Sequence, residues 1–371
     1  MNLDIIKSNG IKDCLIRGKQ FLTESRSSDG LWRDFKTKAD LSSEWVTSFV
    51  TYALMHTSPP NWQNNRKMPF QQLFYRQKRN GGWAYNRQVP TDCDSTAWAL
   101  LALSCCKIWR PSAILRGIDY IRRHQQTTYG GFSTYDTYDG IGRYIQAPNN
   151  YWVQGWLQVH PSVTAVALQA LLIHGENSNN NSVRQAVQYL KNTKSNIGHW
   201  TCYWWKGYAY PTYQTLKSLI YTQDLTTVQY QETINFIIAN QKKDGGWNDA
   251  NEQESEVFAT VFNLLTLLLF PQRSGEESII AAIKFISSKQ LSDGSWPVNP
   301  ILRIPPPMTK DILTVETWEV DKLMTGVIIT DQERIFTTAA VIWGLSIYEV
   351  IYRNKTLISN LPTIKNVKLK K

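Results

Sequence analysis

Gln77-Lys-Arg-Asn-Gly81-Gly-Trp83 is one copy of a unit that recurs along the whole chain. Its Gly-x-Trp/Phe core returns as Gly30-Leu-Trp32, Gly81-Gly-Trp83, Gly130-Gly-Phe132, Gly198-His-Trp200, Gly245-Gly-Trp247 and Gly294-Ser-Trp296. Successive aromatic positions lie 51, 49, 68, 47 and 49 residues apart, a repeat period with one enlarged member. Four copies carry a Gln four residues before the Gly (Gln77, Gln126, Gln241, Gln290), and Arg26 and Lys194 take that place in the other two. A long polar side chain at a helix end can satisfy orphan backbone groups of a neighbouring turn, the Gly permits the turn, and the ring packs on the next repeat. The six motifs read as a structural device.

Each period has room for two helices. Before the turns come amphipathic runs such as Ser112 to Arg122, Val183 to Lys191 and Ile279 to Ile286, charged on one face as outer helices are. After the turns come runs with few charges: Ser43 to Leu54, Asp94 to Cys105, Pro161 to Ile173, Pro211 to Tyr221, Glu256 to Leu269 and Phe336 to Tyr348. Helices apolar nearly all round are buried on both sides. The pattern predicts an all-α fold, a single (α/α)6 barrel of six helix pairs over residues 1–352. An open solenoid uses the same unit but exposes the inner face.

With 371 residues and 42% hydrophobic content the chain can bury a large core, and fifteen Trp, eighteen Tyr and twelve Phe suggest a lined cavity as well. The formal charge is +10, of which six basic residues and no acidic ones fall in 353–371, read as a basic, flexible tail. Net positive charge favours an anionic ligand or an acidic lipid surface. Nucleic-acid binding calls for a basic face interleaved with aromatics, whereas the aromatics here sit in turns and apolar helices. Cys14, Cys93, Cys105, Cys106 and Cys202 lack a CxxC pair and read as reduced thiols, with neither metal site nor cofactor implied. No stretch reaches the roughly 20 apolar residues that span a bilayer. The expected setting is cytoplasmic, or peripheral at the inner membrane surface.

The run Val89-Pro-Thr-Asp92-Cys-Asp94-Ser95-Thr-Ala97 sets two carboxylates at the mouth of the second inner helix. By itself it reads first as a helix cap answering the dipole. In a barrel whose inner helices all run the same way, however, their N-termini gather at one rim, and Asp92 and Asp94 stand there. Two long segments, Tyr135 to Trp156 and Pro297 to Thr330, lie on the same side, and long ordered loops often build sites.

The Gln-x-x-x-Gly-x-Trp repeats together with Asp92-Cys-Asp94-Ser-Thr-Ala resemble the class II terpene cyclases, most closely the squalene-hopene and oxidosqualene cyclase group in a single-barrel, monodomain form. The resemblance places the family's Asp-x-Asp-Asp-Thr-Ala motif on this stretch, with its proton-donating middle Asp at Asp94. It also implies cation-stabilising or site-bordering aromatics at Tyr85, Tyr135, Trp204 and Tyr210. Two positions depart from the pattern: the last Asp is Ser95, and the His that contacts the acid falls on Val166. His160, just before that helix, is the candidate substitute.

The chemistry implied is protonation of a terminal alkene or epoxide of a polyprenyl chain, followed by cyclisation through carbocations. A carboxylic acid of ordinary pKa near 3.9 must then stay neutral at pH 7, which desolvation and a second carboxylate both favour. The class I Asp-Asp-x-x-Asp motif is absent, so ionisation of an allylic diphosphate is disfavoured. Resemblance and net charge point to a prenylated aromatic (meroterpenoid) substrate with an anionic head group. Two rivals remain at this level. A protein prenyltransferase-like barrel requires a zinc site with an Asp-x-Cys pair, which this sequence lacks. A non-catalytic binding scaffold predicts a pocket filled by side chains and an Asp94 open to water.

Overall fold

The computed structural model describes residues 8–57, 67–105, 110–224, 227–248, 253–271 and 275–353. Cys106 and residues 354–371 of the basic tail lie outside them.

Numbered in chain order, six inner helices are α2 (Glu44–Met55), α4 (Cys93–Ser104), α7 (Pro161–Ile173), α9 (Ala209–Tyr221), α11 (Val257–Leu268) and α13 (Ile335–Arg353). Six outer helices alternate with them: α1 (Ser8–Glu24), α3 (Lys67–Arg76), α5 (Pro111–Arg123), α8 (Asn181–Asn192), α10 (Thr227–Ala239) and α12 (Glu276–Ser288). Each inner helix packs on the next, and α13 packs back on α2, so the ring is closed. The outer helices cover the inner ones, and α1 joins the end of the chain by packing on α13 and α12. The sequence-based helix limits agree with these to within a few residues, as expected where apolar runs end at capping or turn residues.

One device repeats at every turn. The backbone N–H of the turn aromatic donates to a threonine hydroxyl of the following inner helix: Trp32 to Thr47, Trp83 to Thr96, Phe132 to Thr164, Trp200 to Thr212, Trp247 to Thr260 and Trp296 to Thr338. Each indole N–H meanwhile reaches a carbonyl ten residues back in the outer helix, as Trp83 does to Leu73 at 2.7 Å. Buried indoles thereby lose no hydrogen bond while their rings fill the layer between helices. The glutamines act as expected, with Gln77 Nε2 donating to Gly81 O and Ala113 O, both at 2.8 Å, and Gln241 and Gln290 making equivalent pairs. In the third repeat the sequence-based assignment is corrected. Gln125, not Gln126, bridges Gly130 O and Ser182 O, because this turn holds one extra residue and closes from Gly130 N to Gln126 O. Gln126 donates to Leu157 O instead.

Gly81 adopts φ +94°, and a Cβ there meets the Arg116 carbonyl oxygen at 2.4 Å. Gly81→Ala is expected to lower stability by at least about 2 kcal/mol through left-handed strain and backbone collision, read by urea denaturation.

The two long segments are not plain loops. The first contains α6 (Tyr138–Tyr144) and a 3-10 turn at Asn150–Val153. The second contains an antiparallel hairpin of β5 (Pro300–Ile304) and β6 (Val327–Thr330). They interlock: Gly155 N donates to Pro307 O at 2.9 Å and Trp156 Nε1 to Pro305 O at 3.0 Å. Ile141, Trp156 and Tyr203 form a small separate core beneath them, roofing one end of the barrel. Two further hairpins, β1 (Asp34–Thr37) with β2 (Asp40–Ser42) and β3 (Trp83–Ala84) with β4 (Thr91–Asp92), lead into α2 and α4. At the helix C-terminal end Lys217 Nζ donates to Tyr52 OH at 2.8 Å and sits 4.7 Å from the Trp343 ring, its pKa lowered to about 7 by burial. The segment Ile335–Tyr352 of α13 is long and apolar enough to cross a membrane, but 72% of it is buried inside the barrel.

Candidate active site

The hairpin β3–β4 delivers the acidic pair. Trp83 pairs with Asp92 across the ladder, so the turn ring and the helix cap are fixed by the same short sheet. Asp92 is the N-cap of α4 and accepts from Ser95 N at 2.7 Å, as the capping reading expects. Asp94 lies in the first turn of the same helix. The pair is therefore both a cap and part of a cavity wall.

That cavity occupies about 470 Å³ at the N-terminal end of the inner helices, within the range of small-molecule sites. Asp92, Asp94 and Ser95 line it, with Tyr85, Tyr135 and Trp204. Burial and, after it, the charge of Asp92 raise the Asp94 carboxyl to about 8, against a lowering hydrogen bond from Trp45. Burial also lifts Asp92, to about 6, while bonds from Ser95, Tyr85 and Asp94 oppose the rise. Asp94 is thus the neutral acid at pH 7, enclosed by protein but open to the cavity. A water-exposed Asp94 over a filled pocket, as a scaffold requires, is not what the barrel holds.

The sequence-predicted aromatics divide. Tyr85 stacks on Trp45 at 6.2 Å and donates its hydroxyl to Phe35 O. Tyr135 stacks on Trp156, and Trp204 donates to Thr134 Oγ1 at 2.7 Å and tilts against Trp156 at 5.5 Å. Tyr210 is not on the cavity wall. It is fully buried behind Trp205, stacked on it at 4.0 Å, with its hydroxyl accepting from Trp98 Nε1 at 3.2 Å. Trp205 is the ring that reaches the cavity.

His160 is also corrected. It neither lines the cavity nor bonds to Asp94; its Nε2 lies 3.1 Å from Gly155 O, and its ring stacks on Tyr203 at 4.2 Å. Burial drives its pKa down to about 3, so it is neutral and supports the roof. Trp45 stands where an acid partner is needed: its Nε1 donates to Asp94 Oδ2 at 3.0 Å. Sequence reasoning missed Trp45, Trp156 and Trp205, although a signal for Trp45 exists. Two residues before each of the six turn-binding threonines stand Trp45, Asp94, Ser162, Tyr210, Phe258 and Phe336, one level of the barrel read in register.

Residues 130–298 match the squalene-hopene cyclase C-terminal domain family, and residues 19–140 match the prenyltransferase alpha-alpha toroid domain. The chain is similar to the type II terpene cyclase MstE from Scytonema, solved as a variant in complex with geranylgeranyl dihydroxybenzoate. Identity is 26%, with a TM-score of 0.83 over 91% of this chain and 97% of that one. It is also similar to lanosterol synthase of Pneumocystis carinii, 26% identical over 68% of this chain and 41% of the relative. The probable squalene–hopene cyclase of Sinorhizobium fredii is 24% identical over 69% and 44%. The chain thus spans about two fifths of the length of the curated relatives it matches. A closed ring of six helix pairs, an Asp-x-Asp pair at its rim and correspondence to a single-barrel structure over nine tenths of the chain make the protein similar, in fold and in the placing of its acidic pair, to the squalene-hopene cyclase-like class II terpene cyclases.

Proposed function

We propose that the protein protonates the terminal alkene or epoxide of a polyprenyl chain and cyclises it through carbocations, on a substrate whose head group is an anionic aromatic. The observation that carries this reading is a neutral carboxyl, Asp94, opening into a cavity walled by indole and phenol rings.

The Asp94 O–H bond breaks as the proton joins the terminal alkene carbon, which leaves a tertiary cation. Internal double bonds then attack in turn, each ring closure moving the cation along the chain. Loss of a proton at the end makes the product an isomer of the substrate. Ring faces of Trp45, Tyr85, Trp204 and Trp205 offer the cation negative quadrupoles worth roughly 0.5 to 2 kcal/mol each. The interlocked roof keeps water from ending the cascade early as an alcohol. Asp92 raises the acid, and the N-terminus of α4 favours the carboxylate left behind.

Lys38, at the tip of the β1–β2 hairpin, is the one cation among the described cavity-lining residues, opposite in charge to an aromatic acid. It is exposed, so its contribution is modest. Lys38→Gln is expected to raise KM about 2- to 5-fold for a carboxylate-bearing substrate and leave the methyl ester unaffected. The test of the whole reading is incubation with a panel including prenylated hydroxybenzoates and squalene, followed by mass spectrometry and NMR. A cyclised isomer of equal mass is expected; absence of any isomer from the panel counts against the reading.

Tyr144 and Met324 are exposed at the cavity lining, and Trp152 and Leu313 are exposed in the same two long segments. Exposed apolar side chains there, on a protein of formal charge +10, suit peripheral attachment to an anionic lipid leaflet, from which a polyprenyl chain can enter directly. Sedimentation with phosphatidylglycerol vesicles, weakened by salt, is the expected result, and equal recovery with neutral vesicles opposes it.

A further inference from the structure

Among the described residues, the hydrogen bond that Asp94's carboxyl accepts from a side chain is Trp45's, Nε1 to Oδ2 at 3.0 Å. The two residues are 49 apart in sequence but hold the same register position in adjacent inner helices, so they stand side by side at one level. Rings pin the indole on several sides: Phe336 at 5.1 Å, Phe35 at 5.4 Å, Trp205 at 5.7 Å and Tyr85 at 6.2 Å. Its N–H therefore points in a fixed direction without needing to reorganise during reaction.

An indole N–H is a donor only. The better acceptor of a neutral carboxyl is its carbonyl oxygen, so a bond at Oδ2 leaves the acidic proton on Oδ1. A donor to the same oxygen is worth more once the group is an anion than while it is neutral, and that difference lowers the barrier to proton loss. Unlike an imidazolium, the indole brings no positive charge to repel the nascent carbocation. The titratable groups facing Asp94 are Asp92 before α4, Cys93 on it and Tyr210 from α9. Burial holds Cys93 and Tyr210 neutral, which leaves Asp92 and Trp45 as the groups that tune the acid.

We propose that Trp45 is a positioning residue of the protonation step: its indole N–H holds Oδ2, confines the acidic proton to Oδ1 and carries part of the charge left when that proton departs. The Oδ1–H bond breaks, the C–H bond forms on the alkene, and the electron pair stays on the carboxylate beneath the indole. This rests on the proposed cyclase reading, so the test includes a readout that needs no substrate.

Trp45 is replaced by Phe and, to keep the ring shape while deleting only the N–H, by β-(3-benzothienyl)alanine. Both are expected to lower kcat about 10- to 100-fold with little change in KM, and to move the high-pH limb of kcat upward by about one unit. In unliganded protein, the infrared C=O band of neutral Asp94, assigned by its loss in Asp94→Asn, is expected to shift to higher wavenumber in both. A stationary band, or a shifted band with unchanged kcat and pH limb, overturns the proposal and leaves Trp45 a packing residue. Should Trp45→Phe fail to fold, the benzothienyl variant decides alone. If the unmodified protein cyclises nothing, the cyclase reading falls while the band still reports whether the indole governs the acid.

Discussion

Asp94→Asn is expected to keep the fold and lose cyclisation by about 10,000-fold in kcat. The amide matches the carboxyl in size and still offers Trp45 an acceptor, but has no acidic proton to give. Thermal unfolding should hardly change, since the helix cap belongs to Asp92. The pH dependence follows from the same environment. Burial and the Asp92 charge hold the Asp94 carboxyl up to about 8, so it is protonated below that value and lost as an acid above it. Activity should be flat from neutral pH to near 8 and then fall about tenfold per pH unit. Asp92→Asn removes the neighbouring charge and should draw that limb to lower pH. Wild-type activity in Asp94→Asn would sink the assignment.

Asp34→Ala should cost on the order of 4 kcal/mol, the largest stability effect of any single polar substitution expected here. Asp34 is completely buried and stands in β1, near the start of the chain, yet its carboxylate accepts from Glu333 N at 3.1 Å, Ile335 N at 3.0 Å and Phe336 N at 3.1 Å. Ile335 N and Phe336 N are orphan donors at the N-terminus of α13 and Glu333 N lies just before it, so one side chain caps the last inner helix and joins the first repeat to the last. Truncation leaves them unpaired inside the seam. Urea denaturation measures the loss, and a change under about 1 kcal/mol would show that the seam does not depend on this residue. Asp331 lies in the same seam, accepting from Asn299 N and Thr337 N, with its carboxyl raised by burial and by Asp34. A carboxyl raised on folding takes up a proton as the chain folds. This group's contribution is therefore complete below the unfolded value near 4, and it is lost as pH rises through the raised one.

Much of the fold was legible because its determinants are local and repeated. A Gly at positive φ, a ring that packs one helix away and a low-charge run recur with a fixed period, and the closed ring follows from burying six such runs on both faces. Where the local count changed the reading slipped: the extra residue in the third turn moved the bridging role from Gln126 to Gln125. Asp92 and Asp94 were legible for the same reason, since a cap and a first turn are set by neighbours in sequence. The partners of Asp94 were not. His160 lay near in sequence but was drawn into the roof by Gly155 and Tyr203, and Tyr210 lost its place on the wall to Trp205.

The sequence by itself determined the repeat, the helix pairing, the acidic pair and the aromatic character of its surroundings, because helix periodicity, turn stereochemistry and capping act over a few residues. Only the tertiary structure decided which groups touch the acid and what closes the ring. Trp45 meets Asp94 across 49 residues, legible only once the repeats are set in register, and Asp34 meets α13 across about 300 with no local signal. Closure brings helix ends to one rim, where side-by-side register, desolvation and the competition of rings for the same space fix each contact. The neutral state of Asp94 belongs to that second class: it follows from the walls around the carboxyl, which the chain builds from residues as far apart as Thr37 and Thr325.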